Sequence, residues 1–311
     1  MLFALALVPV AGLLCFIYFN DKNTKEPFGL LVALFFAGMG TVISAIILEN
    51  VGSIILEILF PYESILKTLI LTLLIVGPAE ELGKFVILRL ITWKNKHFTY
   101  SYDAIVYAVF VSLGFAALEN VNYVFNNGIG TAILRMLTAV PGHACFAVFM
   151  GFFYSKAKYA SITKKTGAYV LHTILALIVP IAIHGVYDAI IMIGSNSDEF
   201  ILSGIFLILW IVFVIVLFVV SVIIIIYSSR HDFCIVTIPE QQVQTVYRPN
   251  IVGSWNCTCG TVNYLNFCSQ CGRQRPINMT WYCPQCGTLC TFKFCGTCGF
   301  PGPHAQSQIQ R

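Results

Sequence analysis

The chain has 311 residues, 58% of them hydrophobic and only 10% charged, and its mean hydropathy is +0.83. A soluble domain carries about 25% charged residues, so this composition excludes a soluble globular protein and leaves a polytopic membrane protein. The formal net charge of +4 is small and dispersed, and gives no support for a nucleic-acid surface.

Roughly 20 apolar residues cross the hydrocarbon core as helix. Seven such runs occur in chain order, at 2–18, 28–48, 65–92, 102–125, 131–154, 168–193 and 200–227. The first lacks the basic start and small-residue cleavage pattern of a signal peptide and is expected to stay as a transmembrane helix. The stretch 53–60 is too short to span and lies among Glu49, Glu57 and Glu63, so it reads as an interfacial or re-entrant piece. Alternate loops hold Lys22 and Lys25, then Arg89, Lys94 and Lys96, then Lys156, Lys158, Lys164 and Lys165, and finally Arg230, while the opposite loops hold acids and the turn Asn126-Asn127-Gly128. Lysine and arginine are retained on the cytoplasmic side, which places the N-terminus outside or in the lumen and everything after Tyr227 in the cytoplasm. The expected fold class is an all-α polytopic membrane protein of about seven transmembrane helices, followed by a small cytoplasmic zinc-ribbon domain.

The third run contains Gly77-Pro78-Ala79-Glu80-Glu81-Leu82-Gly83-Lys84, two adjacent carboxylates and a lysine inside an apolar segment. A charge at the bilayer centre costs about 2.5–3.5 kcal/mol on the insertion scale, so the pair needs a compensating reason. The fourth run carries Glu119-Asn120, the fifth Arg135 and then Pro141-Gly142-His143, and the sixth His172 and His184-x-x-x-Asp188. Residues four apart share a helix face, so Glu80 can pair with Lys84 and Asp188 can orient His184. A desolvated carboxylate beside a second one suits a general base that activates water. Histidines and carboxylates can also hold a catalytic metal, and this choice stays open, although the H-E-x-x-H spacing of common zinc proteases is absent. A purely structural polar cluster is the bland alternative. His172 has no carboxylate at helical spacing and reads as structural, Arg135 as snorkelling at the outer interface, Asp103 as a helix cap, and Gly114, Gly142, Gly151 and Gly185 as close-packing sites.

The set Glu80-Glu81-x-x-Lys84, Phe115-x-x-x-Glu119-Asn120, Arg135 ahead of Pro141-Gly142-His143-Ala144, and His184-x-x-x-Asp188 resembles the PrsW family of intramembrane proteases. That family is similar to CAAX prenyl endopeptidases and bacteriocin-processing membrane proteins, with Glu119 here where the CAAX group has a histidine. The resemblance covers about residues 1–230. It implies hydrolysis of membrane-embedded or membrane-proximal peptide bonds, with Glu80 or Glu81 as base, His143 or His184 as partners, and Lys84, Glu119 and Asp188 completing the catalytic set. Its substrate would be a membrane protein or membrane-anchored peptide. Two other readings are carried: a non-catalytic scaffold of the same fold, and a proton-coupled transporter, against which the lack of an internal repeat speaks.

Nine of the 12 cysteines lie between Cys257 and Cys298. Cys257-x-Cys259 and Cys268-x-x-Cys271 form one four-thiol set, and Cys283-x-x-Cys286 and Cys295-x-x-Cys298 a second, each with eight residues between its pairs. Such knuckles converge four thiolates on structural Zn²⁺, and two sites are expected, with Cys290 as a competing ninth thiol. The tail resembles a double zinc ribbon, and its first half Ran-binding-protein-type zinc fingers, with C-x-C in place of the longer knuckle. A cytoplasmic protein partner is favoured over nucleic acid. The expected organisation is a membrane protease domain over 1–230, a linker over 231–253, zinc ribbons over 254–276 and 281–300, and a tail over 301–311.

Overall fold

A computed structural model describes residues 2–21, 25–197, 199–235, 255–256, 262–263, 270, 281–290, 295 and 297–300. The chain divides into two compact units, 1–235 and 236–311.

The first unit is helical. Its elements are α1 (Leu2–Asn20), α2 (Phe28–Leu59), α3 (Ile65–Ile70), a π-helical segment (Leu71–Val76), α4 (Gly77–Thr92), α5 (Asp103–Leu137), α6 (Ala139–Ile162), α7 (Thr166–Ser195) and α8 (Phe200–Arg230). By length and composition, five stretches among the described residues can cross a membrane: Phe3–Asn20, Phe28–Leu59, Asp103–Ile162, Thr166–Ser195 and Phe200–Arg230. The third contains both α5 and α6. The run through α3, the π segment and α4 is continuous helix as well, but it is interrupted in winding and carries the polar groups of the site. Helices therefore stand at all seven apolar runs, and the protein is an integral membrane protein.

The stretch 53–60 is not re-entrant. α2 continues as one helix of 32 residues, about 48 Å long at 1.5 Å per residue, well beyond the hydrocarbon thickness. Near its end Glu57 is paired beyond the apolar zone: Lys67 reaches it at 2.6 Å, and Glu63, just after the helix, at 2.7 Å. The helix that follows starts at Ser64, whose hydroxyl accepts from the Lys67 N–H.

α5 and α6 are the buried centre, wrapped by helices whose outward faces carry exposed Ile, Leu and Val. Two glycines set the α2–α5 crossing: a Cβ on Gly38 would stand 2.0 Å from the Val111 carbonyl oxygen, and one on Gly114 2.0 Å from that of Phe35. Backbones this close need small residues on both sides. Gly151 and Gly185 fill the expected close-packing role, against Ile105 and Leu73, whereas Gly142 has only ordinary contacts.

α5 is two helices. Gly128, at φ +81, breaks it, so 103–127 crosses the bundle and 129–137 doubles back. α6 accordingly begins at Ala139 and not at 131.

The chain leaving α8 is pinned to the loop before α5. Tyr100 and Cys234 form an antiparallel bridge, the Ile235 N–H donates to the Thr99 carbonyl at 2.7 Å, and Asp232 accepts from the Tyr102 N–H at 2.8 Å. Residues 231–235 thus have structure, and the rest of the expected linker lies outside the described residues. Asp103 is not a conventional cap, since its carboxylate accepts from the Thr99 and Tyr100 N–H groups that precede the helix. Beside it the Tyr107 hydroxyl donates to the buried Glu26.

In the second unit two short antiparallel pairs are described, Trp255–Asn256 with Val262–Asn263 and Trp281–Tyr282 with Leu289–Cys290.

Candidate active site

Glu80, Glu81 and Lys84 lie in the first turns of α4, directly after the π segment. π turns shift the side chains that follow to a new face and recur at functional sites. Here they aim at α5, α6 and α7, which supply Glu119, His143, and His184 with Asp188. All seven side chains singled out in the sequence converge.

The Lys84 ammonium is at the centre. Its Nζ lies 3.1 Å from Glu80 Oε2, 2.7 Å from Glu81 Oε1 and 3.2 Å from His143 Nδ1, with the Phe115 ring 4.0 Å beneath. An ammonium has three N–H groups and no acceptor, so all three are used and His143 Nδ1 must accept. Its Nε2 then donates to Glu119 Oε2 at 2.8 Å. Glu80 does share a face with Lys84, as the spacing predicts, yet the shorter bond goes to Glu81 because the long side chain reaches both the i−3 and i−4 positions.

On the other side His184 Nδ1 is 3.0 Å from Glu81 Oε1, and its Nε2 is 3.4 Å from Asp188 and 3.9 Å from Glu80. The ring is held by Phe146, stacked at 4.6 Å. His172 takes no part and stacks on Phe153.

Arg135 is a member the sequence reading misplaced. It does not snorkel: its Nη2 donates to Glu119 at 2.8 Å and its Nε to Asn120 at 2.9 Å. On a straight helix 16 residues of separation would be about 24 Å, and the reversal at Gly128 brings the two together. Asn120 in turn donates to the Ala6 carbonyl, and Ser112 to that of His143, which fixes α1 and α6 against the site.

Glu80, Glu81, His143 and His184 are all buried, and each offers a ligand atom within 4.8 Å of the others. Glu81 Oε2 is buried without a hydrogen-bond partner. Counted as ionised, Glu80, Glu81, Glu119 and Asp188 face two fixed cations, Lys84 and Arg135, which leaves two negative charges. Buried charge has to be compensated, here by two protons or by one divalent ion. Carboxylate and imidazole donors suit Zn²⁺ and related cations, so the residues fit a metal.

In the tail, Cys283, Cys286, Cys295 and Cys298 bring their sulfurs within 4.8 Å of one another, at 3.3 Å for Cys283–Cys298 and 3.4 Å for Cys286–Cys295. The two knuckles are alike. In each, the N–H of a glycine at φ +72, Gly287 or Gly299, donates at 2.8 Å to the carbonyl of the first cysteine, a bend that favours glycine. Burial raises the Cys295 thiol, but the N–H groups of Cys298 and Thr297 outweigh it and hold the group at about 6. Cys290 lies in the strand Leu289–Cys290, turned to the Thr288 carbonyl, and is not one of the four. Cys257, Cys259, Cys268 and Cys271 lie outside the described residues.

A helical membrane bundle that buries carboxylates, imidazoles and one lysine together fits the class of intramembrane peptidases. The model of a family described as "PrsW family intramembrane metalloprotease" matches residues 26–224, which include every one of these groups and stop before the cysteines of the tail. Among curated proteins, "Protease PrsW" of Clostridioides difficile is 33% identical over 213 residues, 67% of this chain and 87% of that protein. Those of Halalkalibacterium halodurans and Bacillus subtilis are each 32% identical, over 66% of this chain and 90% and 88% of their own lengths. The chain belongs to the PrsW family of intramembrane proteases, and acts on substrates embedded in the bilayer. No solved structure matches it.

Proposed function

We propose that the chain hydrolyses peptide bonds of membrane-embedded or membrane-proximal segments with water activated by Glu80. The observation that carries this is the single ammonium of Lys84, held between Glu80, Glu81 and His143. Glu81 is fully buried and tied by both Lys84 and His184, which suits a fixed counter-charge; Glu80 is slightly less buried and tied only by the longer bond, which suits the base. Glu80 takes a proton from water as the oxygen attacks the scissile carbonyl carbon, and returns it to the leaving amine as the C–N bond breaks. His184, oriented by Glu81 and Asp188, donates to the oxyanion. His143 and Glu119, braced by Arg135, hold Lys84 in place. Glu80, Glu81, His143 and His184 are the side chains that would hold a metal, whose contribution when bound is Lewis-acid polarisation and acidification of water.

The lysine-rich end of the bundle is assigned to the cytoplasm, and with it the tail. The tail holds two structural Zn²⁺ ions, through Cys257, Cys259, Cys268 and Cys271 and through Cys283, Cys286, Cys295 and Cys298, and recruits a cytoplasmic protein partner.

The test is cleavage of a membrane-spanning peptide by the purified chain in lipid, beside Glu80→Gln, Glu81→Gln and His184→Ala. Loss of cleavage in folded variants is expected. Variants that cleave like the parent would overturn the reading, and a parent that cleaves no candidate would favour a scaffold.

A further inference from the structure

A hydrolytic site inside a membrane needs a route for water, and the polar residues outside the catalytic set mark one. Measured along the helices at about 1.5 Å per residue from the lysine-rich end, Glu80 lies about 18 Å in, Glu119 about 24 Å, His184 about 27 Å and His143 about 28 Å. The site is therefore displaced toward the opposite end. At that end a cavity of about 170 Å³ is lined by Ser53, Leu56 and Glu57 of α2, by Lys67, Thr68 and Leu71, by Met192 of α7 and by Asn196, which caps α7. That is room for several waters, with enough polar partners to hold them.

Two helix faces continue from this cavity to the site. On α7 and its cap, Asn196, Met192, Asp188 and His184 follow one another at intervals of four residues, so they form a single line. On α2, Glu57, Ser53 and Glu49 do the same. The inward direction of that α2 face is fixed on both sides of Glu49: Ala45 packs against Phe115, the ring under Lys84, and Gly52 meets Ile75 of the π segment so closely that a Cβ would stand 2.5 Å away. Glu49 is half-buried on this face, makes no hydrogen bond or ion pair among the described residues, and lies within electrostatic reach of Glu80, Glu119, His184 and Asp188. An unpaired carboxylate on a membrane helix is costly unless water reaches it. Side-chain exposure also declines inward, from 23% at Asp188 to 8% at Glu80 and 0% at Glu81.

We propose that the cleft between the far ends of α2, α3 with the π segment, and α7 is the entrance by which water reaches the buried carboxylates, with Glu49 and Asp188 hydrating its inner end. This rests on the hydrolytic reading above.

The route is tested by thiol accessibility in the full chain reconstituted in vesicles. Glu49→Cys, Ser53→Cys and Met192→Cys are exposed to a charged, membrane-impermeant thiol reagent on the face opposite the lysine-rich end, and labelling of each peptide is read by mass spectrometry. Ile47→Cys, on the lipid-facing side of α2, is the control. All three cleft positions are expected to react at least tenfold faster than position 47. Equal rates at 49, 192 and 47 overturn the entrance. Labelling is repeated in a Glu81→Gln background; because it needs no turnover, its failure removes the route and leaves the hydrolytic reading intact, while fast labelling of a chain that never cleaves does the reverse.

Discussion

The membrane unit and the tail each gather four metal-capable side chains within 4.8 Å, but they are held together by opposite means. In the tail, among the described residues, two local knuckles set the four sulfurs with little apolar core around them and no cation stands between them. In the membrane, the donors come from three helices of a large packed bundle, and a lysine already supplies a positive charge at the centre. A tail site without metal should lose its fold, whereas a membrane site without metal should lose chemistry and keep its fold.

The largest effects test the chemistry of the membrane cluster. Glu80→Gln and Glu81→Gln should each lower the cleavage rate by about 10²–10⁴-fold with little change in thermal melting, as read by a cleavage assay beside a melting scan. Lys84→Met should break the cluster: two buried carboxylates lose their counter-charge at about 3–5 kcal/mol, and the melting midpoint falls sharply. Combining it with Glu81→Gln should recover part of that loss, because one of the stranded charges is gone.

The tail breaks the comparison in the other direction. A chelator should unfold the cysteine-rich unit while leaving the melting of the helical unit almost unmoved, and Cys295→Ser should reduce bound Zn²⁺ from two equivalents to one by metal analysis. Equal sensitivity of both units would mean that the membrane cluster also depends on a metal for its fold.

The smallest effect lies at the lysine-rich end. Burial raises the Glu26 carboxyl from 4.5 to about 7, against the lowering effect of its hydrogen bonds with Tyr107 and Asp103. The folded state therefore binds the proton more tightly than the unfolded chain. This stabilisation is fully present below pH 4.5 and is lost as the pH rises through 7. Glu26→Gln should thus stabilise the protein by about 1–2 kcal/mol at pH 8, allowing for partial solvation, and the gain should shrink toward pH 5. Melting midpoints at the two pH values measure it.

What the sequence disclosed follows the range of the interactions. Glu80 with Lys84, His184 with Asp188 and the Cys-x-x-Cys knuckles are local spacings, and helix or turn geometry is enough to read them. The bond from Lys84 to His143 and that from His184 to Glu81 depend on how helices pack, which only the gathering of ionisable groups in four apolar runs suggested. Arg135 was misplaced because its role needs the chain to reverse at Gly128, and an Asn-Asn-Gly turn does not say how far the next helix folds back. Glu49 was read as a loop acid because the apolar run appeared to stop at 48. The Glu57–Lys67 pair near the end of α2 is a tertiary contact, and no helical spacing announces it.

The most direct test of the central claim is cleavage of a membrane-spanning peptide in H₂¹⁸O by the parent chain and by Glu81→Gln, each first shown to be folded. One ¹⁸O atom in the new C-terminal carboxylate of the parent's product, with no product from the variant over the same time, is the predicted result. Product formed equally by both would contradict it.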